Sequence, residues 1–237
     1  MFGFDRYFAD PEFVSRYVEQ GPPAFMPGHA GVLQMAGVLL AETVPADGQV
    51  LVVGAGGGLD TRALARLGPG WRFVGVDPSP QMLDLARAVV GDEVAARLQL
   101  IEGTVADAPA GPFDAATLIL VLGMIPDDGS KLALLEGIAR RLRPGAPFVL
   151  VDRCDDRDGP NFARNIDRYA DYARASGVAA ETLASAHDSQ KANPGLVPAE
   201  RNEALLAEAG FTGVEPFYRG MEWRGWVAYA GGPGARA

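Results

Sequence analysis

A buried strand that runs into a glycine-rich turn constrains this chain more than any other feature. Residues 50–53, Val-Leu-Val-Val, form a short apolar run typical of a strand covered on both faces. Four glycines follow within residues 54–58, and residues 59–67 have the pattern of a helix that stops at Gly68. Glycines in such a turn permit positive φ angles and close approach of backbone N–H groups to a ligand. This order of elements predicts the first unit of a nucleotide-binding α/β fold.

The spacing of these glycines limits the classes of ligand that the turn could bind. The turn has glycines at positions 54, 56 and 58, whereas a dinucleotide-binding fingerprint would place its third glycine at position 59, where the chain has Leu59. A nicotinamide-dependent oxidoreductase is therefore disfavoured. A phosphate-binding loop would end in Lys followed by Ser or Thr, and no lysine stands near the turn. A tight strand-to-helix turn without a ligand stays open at this point.

An acidic residue ends the next predicted strand. Residues 71–77 are mostly apolar and finish at Asp77, about twenty residues beyond the glycines, where a carboxylate can accept both hydroxyls of a ribose. Ser79 and Pro80 then have the character of a helix N-cap and first-turn residue. The alternative for Asp77 is a loop carboxylate that caps this helix.

The order of the motifs along residues 48–153 resembles the class I S-adenosylmethionine-dependent methyltransferases. The matching segments are residues 50–58, 74–77, 100–107, 113–116 and 141–146. This resemblance implies an α/β fold with a doubly wound, seven-stranded, mostly parallel sheet of the Rossmann-like methyltransferase type. It also implies an antiparallel C-terminal strand, a helical lid and S-adenosylmethionine as the cofactor.

We expect one domain, residues 1–237, with four parts: N-terminal helices (1–47), a cofactor-binding core (48–153), a helical lid insertion (155–196), and a closing helix and strand pair (197–230). The core is predicted to contain strands near 49–54, 71–77, 98–102, 114–120 and 147–152, and helices near 59–67, 79–90 and 129–143.

The resemblance also implies which residues contact the cofactor. Gly54, Ala55, Gly56 and Gly58 face the methionine moiety, Asp77 holds the ribose, Pro78 and Met82 lie beside the adenine, Thr104 and Val105 lie at the adenine edge, and Ile119 and Leu120 pass under the sulfonium. The sequence departs from the family pattern at Thr104, often Asp, and at Val52, where many relatives carry an acid near the cofactor's amino group. We expect no metal site.

A Pro27-Gly28-His29 segment resembles the carboxy-S-adenosylmethionine synthases that serve tRNA wobble-uridine modification. In those enzymes a tyrosine after Pro-Gly meets the cofactor's carboxylate, so the resemblance implies that His29 donates the same hydrogen bond. The alternative is an incidental histidine at a helix start. His29 and Asp152 are also the candidate catalytic residues, although methyl transfer from a sulfonium needs a base only if the nucleophile arrives protonated.

Charge and composition exclude some partners. The net charge of −9, from 21 basic and 30 acidic residues, argues against nucleic acid. The longest apolar run, residues 118–125, is too short to cross a bilayer. A single cysteine and a start without a signal-peptide pattern predict a cytoplasmic protein. A cluster of arginines at positions 140, 141 and 143 falls at a predicted helix end and is interpreted as structural.

We therefore expect a methyltransferase that transfers a methyl group in line to a small-molecule acceptor. A carboxy-S-adenosylmethionine synthase-like enzyme is an alternative, but between Ala175 and Glu200 the lid has no arginine for an added carboxylate, only His187 and Lys191. A non-catalytic S-adenosylmethionine-binding protein is the other alternative. The sequence leaves the oligomeric state open, a homodimer included.

Overall fold

A computed structural model describes residues 10–232, apart from the side chain of Phe13. Residues 1–9 of the predicted N-terminal part, and residues 233–237, lie outside the described residues. Within 10–232, the chain forms a seven-stranded sheet in the order β3-β2-β1-β4-β5-β7-β6. The strands are β1 Gln49–Val53, β2 Arg72–Asp77, β3 Leu98–Glu102, β4 Ala115–Ile119, β5 Pro147–Arg153, β6 Phe211–Gly220 and β7 Trp223–Ala230.

The sheet has the predicted mixed topology. Strands β1 to β5 pair in parallel, and β7 runs antiparallel to both of its neighbours, β5 and β6. The helices are α1 Pro11–Gln20, α2 Pro22–Phe25, α3 His29–Ala41, α4 Leu59–Leu67, α5 Pro80–Val90, α6 Asp92–Ala95, α7 Ser130–Ala139, α8 Phe162–Ala175, α9 Ala180–Ala192 and α10 Ala199–Glu208. The predicted doubly wound α/β fold is thus confirmed.

Helices cover both faces of the sheet. Along β1, Val50 and Val52 pack into an apolar cluster with α3 and α4, whereas Leu51 and Val53 pack into a second cluster with α7 and α10. This alternation follows from the two-residue period of a strand. Because β1 lies between β2 and β4, the strand order reverses there, and ligands of such folds bind outside the carboxyl ends of these strands.

The structure corrects the predicted helix over 129–143, which ends at Ala139. Residues after it pair with the segment before β4: the backbone N–H of Phe113 donates to the Arg141 carbonyl at 2.7 Å, and that of Arg143 donates to the Phe113 carbonyl at 3.0 Å. The side chain of Arg141 also bonds three backbone carbonyls, those of Ala106, Ala108 and Gly137. These long-range bonds replace further turns of the helix, and they give Arg141 a structural role.

The described N-terminal part consists of helices, as expected. The short helix α2 begins at Pro22, because prolines are tolerated in the first turn of a helix. Helix α3 starts at His29, after Gly28, which has a φ of 65°. No single helix among residues 10–232 is long and apolar enough to cross a membrane; the bent pair Val14–Phe25 and His29–Ala41, at 84°, meets that test of length and composition together.

The lid is tied to the end of β5 through Arg153. Its guanidinium group is 3% exposed, pairs with the Asp155 carboxylate at 3.0 Å and donates to Gln190 of α9 at 2.9 Å. It also lies 5.0 Å from the ring centre of Tyr169 in α8, which stacks on Phe25 of α2 at 5.2 Å. One buried cation therefore connects the sheet, both lid helices and the N-terminal region.

Replacing this cation should destabilise the fold. Arg153→Met would leave the buried Asp155 carboxylate with hydrogen bonds from Asn165 and the Asp156 backbone but without a cationic partner. We expect a loss of about 3 kcal/mol in the free energy of unfolding, measured by urea denaturation. Arg87→Met is the control, because Arg87 pairs with Asp84 on the surface, and its loss should be below about 1 kcal/mol. Equal losses in the two variants would contradict this role of Arg153.

Candidate active site

The glycine turn between β1 and α4 forms the floor of the site. Gly54, Gly56 and Gly58 have φ angles of 74°, 46° and 77°, a region that other residues rarely adopt. A Cβ atom at Gly54 would lie 2.2 Å from the Val121 side chain, and one at Gly58 would lie 3.0 Å from the Cα atom of Ala86 in α5. The turn therefore requires glycine both for its backbone angles and for close packing.

A cavity of about 270 Å³, partly open to solvent, lies over this turn. It is bordered by the turn, the end of β4, helices α1 to α3 and the first turn of α4. The lining residues are Tyr17, Pro22, His29, Gly54, Ala55, Gly56, Gly57, Leu59, Asp60, Ile119 and Leu120.

The backbone bends sharply at Leu120, directly after β4. Leu120 has a φ of 62°, which is uncommon for a non-glycine residue. Its N–H still donates to the carbonyl of Val151 in β5 at 2.8 Å. Strained backbone of this kind is concentrated at functional sites, and here it forms one wall of the cavity.

Asp77 at the end of β2 is held by the turn. Its carboxylate accepts hydrogen bonds from the backbone N–H groups of Gly56 and Ser79, each at 2.9 Å. Burial raises the pKa of Asp77, and these two bonds act in the opposite direction. Each oxygen keeps a further lone pair, so the residue can cap its helix and still accept a ligand hydroxyl. The two interpretations of Asp77 left open by the sequence are compatible.

His29 is a buried, neutral imidazole at the cavity. Its residue is 6% exposed, and burial lowers its pKa to about 4. The preceding segment is fixed by the Tyr218 hydroxyl, which donates to the Pro27 carbonyl. At neutral pH one ring nitrogen of His29 is therefore a donor and the other an acceptor.

The remaining predicted contacts are distributed around the cavity rather than in it. Met82 is buried with its terminal methyl close to Gly56, and Pro78 is exposed beyond Asp77. Thr104 caps a short 3₁₀ turn with Asp107, and Val105 packs against Gly137 of α7. Their contacts with the adenine remain predictions.

Asp152 lies in the interior. It is 4% exposed, and its carboxylate accepts the N–H groups of Gly123 and Arg153, both at 2.7 Å. The nearby Lys131 side chain donates to the Leu122 carbonyl at 2.5 Å. This arrangement favours the interpretation of Asp152 as a structural carboxylate at the strand end over a role in orienting an acceptor.

Five lining residues were not among the predicted contacts: Tyr17, Pro22, Gly57, Leu59 and Asp60. Asp60 is the chemically important one, because burial raises the pKa of its carboxyl to about 7. Its position two residues after Gly58, in the first turn of the helix that follows the glycine turn, could have indicated that it lies at the cavity. Pro22 reaches the cavity through the fold of α1 and α2, which local sequence does not reveal.

Comparison with known proteins agrees with this geometry. Residues 51–148 match the family described as "Methyltransferase domain". Together with the motif order and the strand order, this match confirms the resemblance predicted from the sequence. The chain therefore contains a methyltransferase domain, is an enzyme and uses S-adenosylmethionine as its cofactor.

The similar proteins include carboxy-S-adenosyl-L-methionine synthases and O-methyltransferases. The chain is 28% identical to a carboxy-S-adenosyl-L-methionine synthase from Chromohalobacter salexigens over 86% of this chain and 76% of the relative. It is 35% identical to a ubiquinone biosynthesis O-methyltransferase from Xanthomonas axonopodis pv. citri, but over 46% of this chain and 45% of that one. An O-methyltransferase family structure from Burkholderia thailandensis superposes with a TM-score of 0.70 at 16% identity, over 97% of this chain and 63% of that longer chain.

The residues present fit the cofactor. The glycine turn lines the cavity with the backbone of residues 54–57. Asp77 retains lone pairs that could accept ribose hydroxyls, and the cavity joins the ends of β1 and β4.

The lowered pKa of His29 predicts a pH-dependent contribution to stability. Because its folded pKa of about 4 lies below the ordinary value of 6.5, this contribution is complete above pH 6.5 and is lost as the pH falls towards 4. The stability of the wild type relative to His29→Gln should therefore decrease by about 2.5 kcal/mol between pH 7 and pH 4.5, measured by urea denaturation.

His187→Gln is the control for this measurement. His187 contacts Asp167 on the lid, and its side chain is 31% exposed, so the same comparison should give a smaller change. Asp60, whose raised pKa acts with the opposite sign, is present in both proteins and cancels from the difference. A His29 difference that does not vary with pH would show that the imidazole is not buried in its neutral form.

Proposed function

We propose that this enzyme transfers the methyl group of S-adenosylmethionine to a small-molecule acceptor by in-line displacement. The observation that carries the proposal is the cavity in which the glycine turn, the strained end of β4 and His29 meet. When bound, S-adenosylmethionine supplies an electrophilic methyl group whose former carrier leaves as a neutral thioether. No protein acid is needed for that departure, so positioning and exclusion of water are the main contributions of the chain.

The proposed roles of the residues follow from their chemistry. Asp77, fixed by Gly56 and Ser79, holds the ribose hydroxyls. The backbone at Ile119 and Leu120 forms the wall beneath the sulfonium. Neutral His29 donates one hydrogen bond to the cofactor's carboxylate and keeps an acceptor nitrogen for a protonated nucleophile.

The lid supports a small acceptor. Pro22 of α2 lines the cavity, and Phe25 of the same helix stacks on Tyr169 of the lid helix α8. The lid can therefore influence the space beside the cofactor through α2. The cavity is partly open to solvent, so the reacting part of a small organic molecule can approach the glycine turn through this opening. The Xanthomonas relative is named as an O-methyltransferase of ubiquinone biosynthesis, which is consistent with such an acceptor.

A carboxy-S-adenosylmethionine synthase-like activity is the second candidate. The similarity to the Chromohalobacter synthase covers most of this chain, whereas the similarity to the O-methyltransferase covers about half. Against it, no lysine or arginine is among the described residues that line the cavity. Arg153, the buried cation beneath the lid, is already paired with Asp155. An additional carboxylate would therefore lack a cationic partner.

Two experiments test the proposal. The first is calorimetric titration of the protein with S-adenosylmethionine, S-adenosylhomocysteine and NAD. The second is an assay with methyl-labelled cofactor and a panel of small hydroxyl, amine and thiol acceptors. We expect the two adenosyl ligands to bind, NAD not to bind, and label to appear on an acceptor. Mass spectrometry of ligand extracted from the purified protein separates the candidates, because the synthase-like activity predicts a carboxylated cofactor. Binding without label transfer to any acceptor would favour a non-catalytic binding protein.

A further inference from the structure

Asp60 brings a carboxylate into the cavity from the first turn of α4. It is the second residue after Gly58, which caps the helix at its N-terminus, and it lines the same cavity as the glycine turn. Asp77 stands on the ribose side of this turn through its bond to Gly56. Asp60 is therefore the acidic side chain of the cavity itself.

No partner compensates this carboxylate within residues 10–232. No hydrogen bond or ion pair joins the Asp60 side chain to any described residue. The ionisable groups that share or adjoin the cavity are Tyr17 of α1, His29 of α3 and Asp77 at the end of β2. Burial lowers the pKa of His29 to about 4, and burial together with Asp60 and Asp77 raises the pKa of Tyr17, so both side chains are uncharged at neutral pH.

The cavity thus favours a ligand with a hydrogen-bonding cation. A partly buried carboxylate without a partner is unfavourable, and an ammonium group relieves this by both charge and hydrogen bonding. Burial alone raises the pKa of Asp60 to about 7, which agrees with the lack of a compensating group. The acid expected from the family pattern cannot serve instead, because Val52 is an apolar side chain buried in the core.

We propose that Asp60 binds the α-ammonium group of the methionine moiety of S-adenosylmethionine, in place of an acid at position 52. This inference rests on the proposed binding of the cofactor in the cavity. Of the two cationic centres in the cofactor, only the ammonium carries N–H donors, so it is the one that can form charge-assisted hydrogen bonds with the carboxylate.

Two ligands that differ at the methionine end test this proposal by calorimetry. S-Adenosylhomocysteine carries the ammonium group, and 5′-methylthioadenosine has the same nucleoside without it. Asp60→Asn should weaken binding of S-adenosylhomocysteine by roughly ten- to a hundredfold and leave methylthioadenosine binding unchanged. Asp77→Asn should weaken both ligands, since both contain the ribose. Asp84→Asn, on the exposed face of α5, is the neutral control.

The outcomes separate this inference from the proposed function. Equal weakening of both ligands by Asp60→Asn, or no weakening of either, would overturn the role of Asp60 while the cofactor site stands. Failure of the wild-type protein to bind either ligand would overturn the cofactor site, and the inference with it.

Proton release provides a second test that needs no variant. A carboxyl with a pKa of about 7 is roughly half protonated at pH 7, and an ammonium partner would stabilise its charged form. Binding of S-adenosylhomocysteine to the wild type at pH 7 should therefore release roughly half a proton, measured by calorimetry in buffers of different ionisation enthalpy. Methylthioadenosine should release none. Equal proton release with both ligands, or none with either, would contradict the proposal.

Discussion

The backbone of the glycine turn is the constraint on which the rest of the site depends. The N–H groups of Gly54 and Ala55 both donate to the carbonyl of Val76, at 2.8 and 3.0 Å, and the N–H of Gly56 donates to Asp77. The turn thereby joins the end of β1 to the end of β2 and orients the carboxylate. Its positive φ angles also bring α4 against α5, since a side chain at Gly58 would meet Ala86. Because the turn consists mainly of glycines, the floor of the cavity is formed mostly by backbone atoms.

Burial disfavours the charged forms of the ionisable side chains at the cavity. Burial keeps His29 neutral and weakens the acidity of Asp60, and neither has a charged partner in the described part of the chain. The proposed methyl transfer would not require fixed charges around the methyl group, because the reaction would disperse a positive charge that the ligand brings with it. The chain provides a cavity, one acid of altered pKa and a neutral ring, and this arrangement is compatible with the proposed catalysis by positioning.

The sequence correctly predicted those helices and strands whose ends are determined by residues close to them in the chain. Helix α4 and strand β3 begin and end at the predicted residues, because Gly58 and Gly68 bound the first and an apolar run defines the second. The predicted positions of Ile119 and Leu120 at the cavity follow from the rule that ligands bind where strand order reverses. Three-dimensional packing determined the rest. Helix α7 ends early because of pairing with Phe113. Asp60 lines the cavity because α1 and α3 pack over the glycine turn. This packing cannot be predicted from the residues that are close to Asp60 in the sequence.

A crystal structure of the protein with S-adenosylhomocysteine tests most directly whether the glycine turn and Asp77 together bind the adenosyl cofactor. We expect both ribose hydroxyls within hydrogen-bond distance of the Asp77 carboxylate and the homocysteine end over residues 54–58. A ligand bound elsewhere, or a ribose without contact to Asp77, would contradict it.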